Sequence, residues 1–212
     1  MAPTPETFWQ EILPASEIAE GGYPARFDDG RILLLPIRRL PDGRRALASL
    51  IINQASFAVV DALAADLARK LSAFAPDVIV GLPTLGLTLA SAVAQKLGHP
   101  RYVPLGVSAK FWYRDELSVP LTSITSPDQA KRLFVDPRMV PLLEGRRVTL
   151  IDDVISSGTS ILAGIALLKA CGVQPVALGT AMLQSDRWRE SLAPWPVVSV
   201  LSSPLLEADW RS

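Results

Sequence analysis

The residues of this chain best suited to chemistry lie together in Val148–Ser160, which reads VTLIDDVISSGTS. An apolar run from Val148 to Ile151, with Thr149 among it, ends at Asp152 and Asp153. Two further apolar residues follow, and then Ser156, Ser157, Gly158, Thr159 and Ser160 open a stretch of helical periodicity. The order implied is strand, acidic pair, hydroxyl-rich turn, helix. Backbone N–H groups at a glycine-containing turn and helix N-terminus favour an anion such as phosphate. Two carboxylates beside them repel one. A single ligand satisfies both halves if it offers an anionic end to Ser156–Ser160 and neutral hydroxyls, or a bound cation, to Asp152 and Asp153. Ribose 5-phosphate has that shape. A P-loop would need G-x-x-x-x-G-K-[ST], and no lysine is present here; the dinucleotide fingerprint G-x-G-x-x-G is also missing.

Composition narrows the chemistry further. The 212 residues suffice for one sizeable domain with a small appendage. Twenty-one basic residues balance twenty-one acidic ones, so no global field draws in nucleic acid or an anionic membrane, and an anionic substrate has to be captured locally. Cys171 and His99 are the only cysteine and histidine, which excludes disulfide frameworks, Cys/His zinc sites and Cys–His or Ser–His nucleophiles. Carboxylates, backbone and a metal ion are left to do the work. The N-terminal stretch lacks an apolar core of the signal-peptide kind, and no apolar run reaches the ~18 residues of a membrane span. A cytoplasmic protein without membrane or nucleic-acid partners is expected.

The elements that must position this motif can be taken in chain order. Residues 1–20 are Pro-rich, with Phe8, Trp9, Ile12 and Leu13 at near-helical spacing suggesting a short packed segment. From Arg31, RILLLPIRRL, then Pro41-Asp42-Gly43, then RRALASLII read as two strands of one β-hairpin. Phe57, Val60, Ala64, Leu67, Leu71 and Phe74 form one helical stripe. Residues 77–81 read as a buried strand, and Leu82, Pro83, Thr84, Leu85 and Gly86 lead into a helix running to Leu97; this loop too could receive an anion through backbone N–H groups and the Thr84 hydroxyl. A further strand, RYVPLG, precedes an interruption of the α/β rhythm at 108–136. There Lys110, Phe111, Trp112, Tyr113 and Arg114 cluster, and 118–125 and 131–135 alternate enough to pair as strands around Ser126-Pro127-Asp128. Beyond the motif, Ile161, Leu162, Ile165, Leu167 and Leu168 predict a helix stopping at Gly172, then a strand over 173–182 whose exit is Leu183–Trp188. The tail adds one more strand and an apolar end suited to packing on the N-terminal hairpin. The prediction is a single α/β domain over 1–212: a parallel sheet flanked by helices, a lid hairpin at about 108–136, and a small hood from about 1–52 and 183–212.

With these elements in order, Val148–Ser160 closely resembles the ribose-phosphate signature of type I phosphoribosyltransferases. The resemblance implies that Asp152 and Asp153 hold the ribose hydroxyls of phosphoribosyl diphosphate (PRPP), directly or through Mg²⁺, and that Ser156–Ser160 hold its 5-phosphate. Members often read Thr-Gly-Gly-Thr where this chain has Ser157-Gly158-Thr159-Ser160, so donor capacity is kept while some backbone freedom is lost. It further implies that 82–86 is a pyrophosphate loop. Such loops often carry a cis peptide, which would be chemically cheapest at Leu82–Pro83. The 108–136 hairpin becomes a mobile lid that brings a basic residue to the pyrophosphate, with Lys110 the best positional match, Arg114 second, and Trp112 a base or lid candidate. Asp186 and Trp188 become candidates for magnesium and base stacking. The implied reaction transfers ribose 5-phosphate from PRPP to a nucleobase, a purine by the order of segments, in nucleotide salvage; a homodimer is common in the family. The rival reading is a regulator on the same fold that senses PRPP or a nucleotide, with Arg38, Arg39, Arg44 and Arg45 as a local basic patch.

Overall fold

The computed structural model describes residues 7–17, 20–121 and 131–210. Its N-terminal part is not one hairpin. Strands β1 (Tyr23–Arg26) and β2 (Ile32–Leu35) pair antiparallel, while β3 (Ile37–Arg39) pairs antiparallel with β4 (Arg45–Ala48) in a separate sheet. The first predicted strand is thus split at Pro36. A proline has no N–H to give to a ladder and its fixed φ bends the strand, so the chain changes sheets there. The segment around Phe8–Leu13 is packed but not helical: Leu13 bridges to Ile32, and the buried Trp9 donates its Nε1–H to the Ser49 carbonyl at 3.0 Å.

Helix α1 (Phe57–Leu71) starts where Ser56 caps it, its hydroxyl accepting from Val59 N at 3.2 Å, and it buries Val59, Val60, Leu63, Ala64, Leu67, Ala68 and Leu71 along one face. Then come β5 (Val78–Gly81), α2 (Gly86–Lys96) and the short β6 (Val103–Pro104). Strands β7 (Ser118–Leu121) and β8 (Lys131–Phe134) pair antiparallel in the segment expected to form the lid; the expected turn at 126–128 lies outside the described residues. β9 (Val148–Ile155), α3 (Thr159–Ala170), β10 (Pro175–Gln184), the short α4 (Arg189–Leu192), β11 (Val197–Ser203) and β12 (Leu206–Glu207) complete the chain.

The central sheet has the order β11-β10-β9-β5-β6, and every pairing within it is parallel. This is the flanked parallel sheet that the alternation of elements implied. Its faces build two cores: Ile79 of β5 and Ile151 of β9 join α1 and α2, whereas the next-door Val80 and Leu150 join α3 and the lid strands. β12 pairs with β4, so the C-terminal end does dock on the N-terminal hairpin to form a hood. Among the described residues no helix is long and apolar enough to cross a membrane. Loops 82–85, 156–158 and 185–188 all leave the C-terminal edge of the sheet, where parallel α/β folds place ligands.

Candidate functional site

Asp152 and Asp153 lie inside β9 rather than beyond its end; the strand continues through Val154 and Ile155. Neighbours in a regular strand point to opposite faces. Here the alternation changes phase at the acidic pair: Val148 and Leu150 belong to the α3 core, Ile151 and Val154 to the α1/α2 core, and Ile155 to the α3 core again. The irregularity keeps the two carboxyl groups against each other, and Asp153 N donates to Asp152 Oδ1 at 2.9 Å. Thr180 of β10 secures the bend by donating its hydroxyl to the Asp153 carbonyl at 2.8 Å.

Asp152 is buried, exposing only 7% of its surface, Asp153 is half-buried, and among the described residues neither carboxylate has a cation partner within ion-pair distance. Burial, reinforced by the Asp153 charge, pushes the Asp152 carboxyl well above the usual range, and burial raises Asp153 as well. Such a pair can accept from hydroxyl donors or lie beside positive charge.

The two loops that flank the pair have a common construction. Gly158, at φ +85°, turns the chain into α3 in the left-handed region that glycine tolerates. It gives α3 no side-chain cap, and the first turn of α3 has no acidic residue, so the helix end keeps its positive potential. Ser157 Oγ and Thr159 Oγ1 lie 2.9 Å apart, fixing the hydroxyls of the turn. α2 starts in the same way, with Leu85 supplying no cap and no acid in the first turn. Gly86 is required there by contact: a Cβ would sit 2.9 Å from Asp152 Oδ1 and 3.0 Å from its Cα. The 82–86 loop is therefore seated directly on the acidic pair. A cis peptide is present in this loop at Pro83–Thr84, not at Leu82–Pro83 as expected.

Lys110 and Arg114 are exposed, and no hydrogen bond or ion pair ties either side chain to the loops. Trp112 is anchored to the lid's own base: its Nε1–H donates to Asp136 Oδ2 at 3.2 Å, and the Arg138 guanidinium lies over its ring at 5.2 Å. Phe111 is almost wholly exposed. On the exit from β10, Asp186 pairs with Arg189 at 2.6 Å, and Trp188 packs into the α3 core while donating Nε1–H to the Ser185 carbonyl.

Arg187, between them, is the residue that the sequence reading passed over. Its Nη2 donates to Ser156 Oγ at 2.7 Å, which places a guanidinium at the edge of the hydroxyl loop. Only the adjacency of β10 to β9 could have flagged it.

A model of the phosphoribosyl transferase domain matches residues 47–207. The chain is 31% identical over 173 residues to an adenine phosphoribosyltransferase of Frankia casuarinae, covering 78% of this chain and 87% of that enzyme. An orotate phosphoribosyltransferase of Methylibium petroleiphilum is 32% identical over 126 residues, 58% of this chain and 47% of that one. The crystal structure of adenine phosphoribosyltransferase from Leishmania donovani superposes with a TM-score of 0.60 at 20% identity, over 90% of this chain and 82% of that one.

Proposed function

Because the chain belongs to the phosphoribosyl transferase domain family, we propose that it transfers ribose 5-phosphate from PRPP to a ring nitrogen of a purine, adenine before the others, releasing pyrophosphate in nucleotide salvage. The observation that carries this reading is the pair of buried Asp152 and half-buried Asp153, without an ion-pair partner among the described residues, set against two helix ends with no side-chain cap. The purine preference draws on the Frankia enzyme, which matches over most of both chains, whereas the orotate enzyme matches over less than half its length.

Breaking the bond at the anomeric carbon builds positive charge on the ribose ring, so no protein nucleophile is needed. The task of the protein is to hold the donor at both ends and meet that charge. The Ser156–Ser160 turn binds the 5-phosphate, and the 82–86 loop binds the diphosphate through backbone N–H groups at the start of α2. Asp152 and Asp153 accept from the ribose hydroxyls and set negative potential beside the developing cation. Lys110, with Arg114 behind it, brings positive charge to the departing pyrophosphate as the lid closes and excludes water.

Mg²⁺ suits this donor set. No cluster of three or more His, Cys, Asp or Glu among the described residues could hold a metal alone, and Mg²⁺ typically takes one or two carboxylates plus substrate phosphates. Asp152 and Asp153 are the protein's share, and the ion when bound neutralises charge on the diphosphate.

The test is pyrophosphate release from PRPP and Mg²⁺ with adenine, guanine, hypoxanthine, xanthine, uracil or orotate in turn. Turnover with a purine, reduced by roughly 10²–10³-fold or more in Asp152→Asn/Asp153→Asn, is expected. PRPP binding without turnover on any base would instead make the chain a sensor.

A further inference from the structure

We propose that Arg187 is the cation that binds the 5-phosphate of the ribose, a substrate-binding residue supplied to the hydroxyl loop from the neighbouring strand exit. The proposal deepens the transferase reading and rests on its assignment of the 5-phosphate to Ser156–Ser160. That loop contains no lysine or arginine, and the chain as a whole is electrically neutral. A phosphate dianion there would meet only backbone N–H groups, hydroxyls and the partial charge of a helix end, about half an elementary charge. Arg187 provides the missing full charge. Its Nη2 lies 2.7 Å from Ser156 Oγ and its Nε 3.3 Å from Ser185 Oγ.

Both contacts are to hydroxyls. Where other surface arginines such as Arg31, Arg45, Arg69, Arg138, Arg147 and Arg189 hold carboxylates, no carboxylate lies within ion-pair distance of Arg187 among the described residues. Of the five guanidinium N–H groups these two bonds take two, and the fork geometry suits a phosphate with the rest. Because Ser156 Oγ accepts from Arg187, its own proton is free to point at the same phosphate. The neighbouring Asp186 is held off by Arg189 at 2.6 Å, so it does not compete for the guanidinium. α4 then fixes the exit segment against the loop, with Ser191 Oγ 3.1 Å from where a Cβ on Gly158 would sit.

The experiment is calorimetric titration of ribose 5-phosphate into wild type, Arg187→Gln, Arg187→Lys and the control Arg69→Ala, an exposed arginine of α1 paired with Asp66, together with KM and kcat for PRPP. Arg187→Gln should weaken ribose 5-phosphate binding roughly 10- to 100-fold and raise the KM for PRPP by a similar factor with kcat little changed. Arg187→Lys should recover part of the loss, and Arg69→Ala should match wild type.

The second ionisation of a phosphate lies near pH 6, so wild-type affinity should rise through that pH and Arg187→Gln should flatten the rise. A merely structural role would leave the pH profile intact. Unchanged affinity in Arg187→Gln, or a wild type that does not bind ribose 5-phosphate, overturns the proposal. Arg187-dependent binding of ribose 5-phosphate with no turnover on any base supports it while sinking the transferase reading.

Discussion

Asp152, proposed to grip the ribose, shows how such a role can work against the fold that carries it. Unfolded, its carboxyl titrates near the ordinary value of about 4. Folded, burial and the Asp153 charge hold the proton to higher pH. Between those two values unfolding releases protons, so stability falls as pH rises through the window, and the full penalty applies above it. Asp152→Asn keeps an oxygen to accept from Asp153 N and removes the charge. At pH 7–8 the ligand-free variant should therefore be more stable than wild type by about 1 kcal/mol or more, a rise in Tm of roughly 2–4 °C per kcal/mol. The advantage should vanish near pH 4, and PRPP binding should be lost throughout. Thermal unfolding of the two proteins across that pH range measures it; a less stable variant at pH 8 would mean that the pair is not desolvated in solution.

The strands that bring the loops together are tied at the opposite end of the sheet. Arg147, just before β9, donates from Nε and Nη2 to Asp77, just before β5, at 3.2 and 3.0 Å, and the backbone groups of the two residues also pair. The Arg147 side chain, with help from its backbone N–H, holds the Asp77 carboxyl down at about 2. A depressed value contributes stability that is present above the unfolded value of about 4 and is lost as pH falls through about 2. Asp77→Asn should therefore lower the denaturant midpoint modestly near neutral pH, since the pair is solvent-exposed, with the difference closing as the pH falls below about 2. A gap that persists in acid would point to the backbone contact instead of the charge.

Across the whole molecule, the N-terminal strands share a core with the sheet, Leu33, Leu35 and Ala48 clustering with Ile151 and Met182, and one polar tie is buried with them. Gln184, the last residue of β10, donates its Nε2–H to the Ala48 carbonyl of β4 at 2.8 Å. At the other side the Tyr23 hydroxyl lies 3.5 Å from the Ser202 carbonyl of β11, and its ring meets that of Trp210 at a tilt, centroids 5.8 Å apart. Gln184→Ala should cost about 1–3 kcal/mol by leaving the Ala48 carbonyl short of a partner. Hydrogen exchange should accelerate in β3 and β4 before it does in β5 or β9. Uniform acceleration over all four strands would show that the hood is not a separately opening unit.

Much of this organisation is legible in the chain without its structure. Apolar periodicity gives α1, α2 and α3, and the run of strand, loop and helix gives the parallel sheet, because burial on both faces leaves continuous apolar strands. The acidic pair and the hydroxyl turn are readable because their residue types are poor choices for a buried strand unless a ligand answers them. What the sequence alone could not supply depends on which strands become neighbours. Pro36 could be seen as a break, but not that the chain changes sheets there. Asp186 and Trp188 are the candidates that sequence offers at the β10 exit; the fold pairs the first with Arg189, packs the second against the α3 core, and brings Arg187 to Ser156. Local pattern fixes which face a side chain takes within its own element. Only the order β10-β9-β5 in the folded sheet decides which loops share an edge, and so which charge meets which ligand.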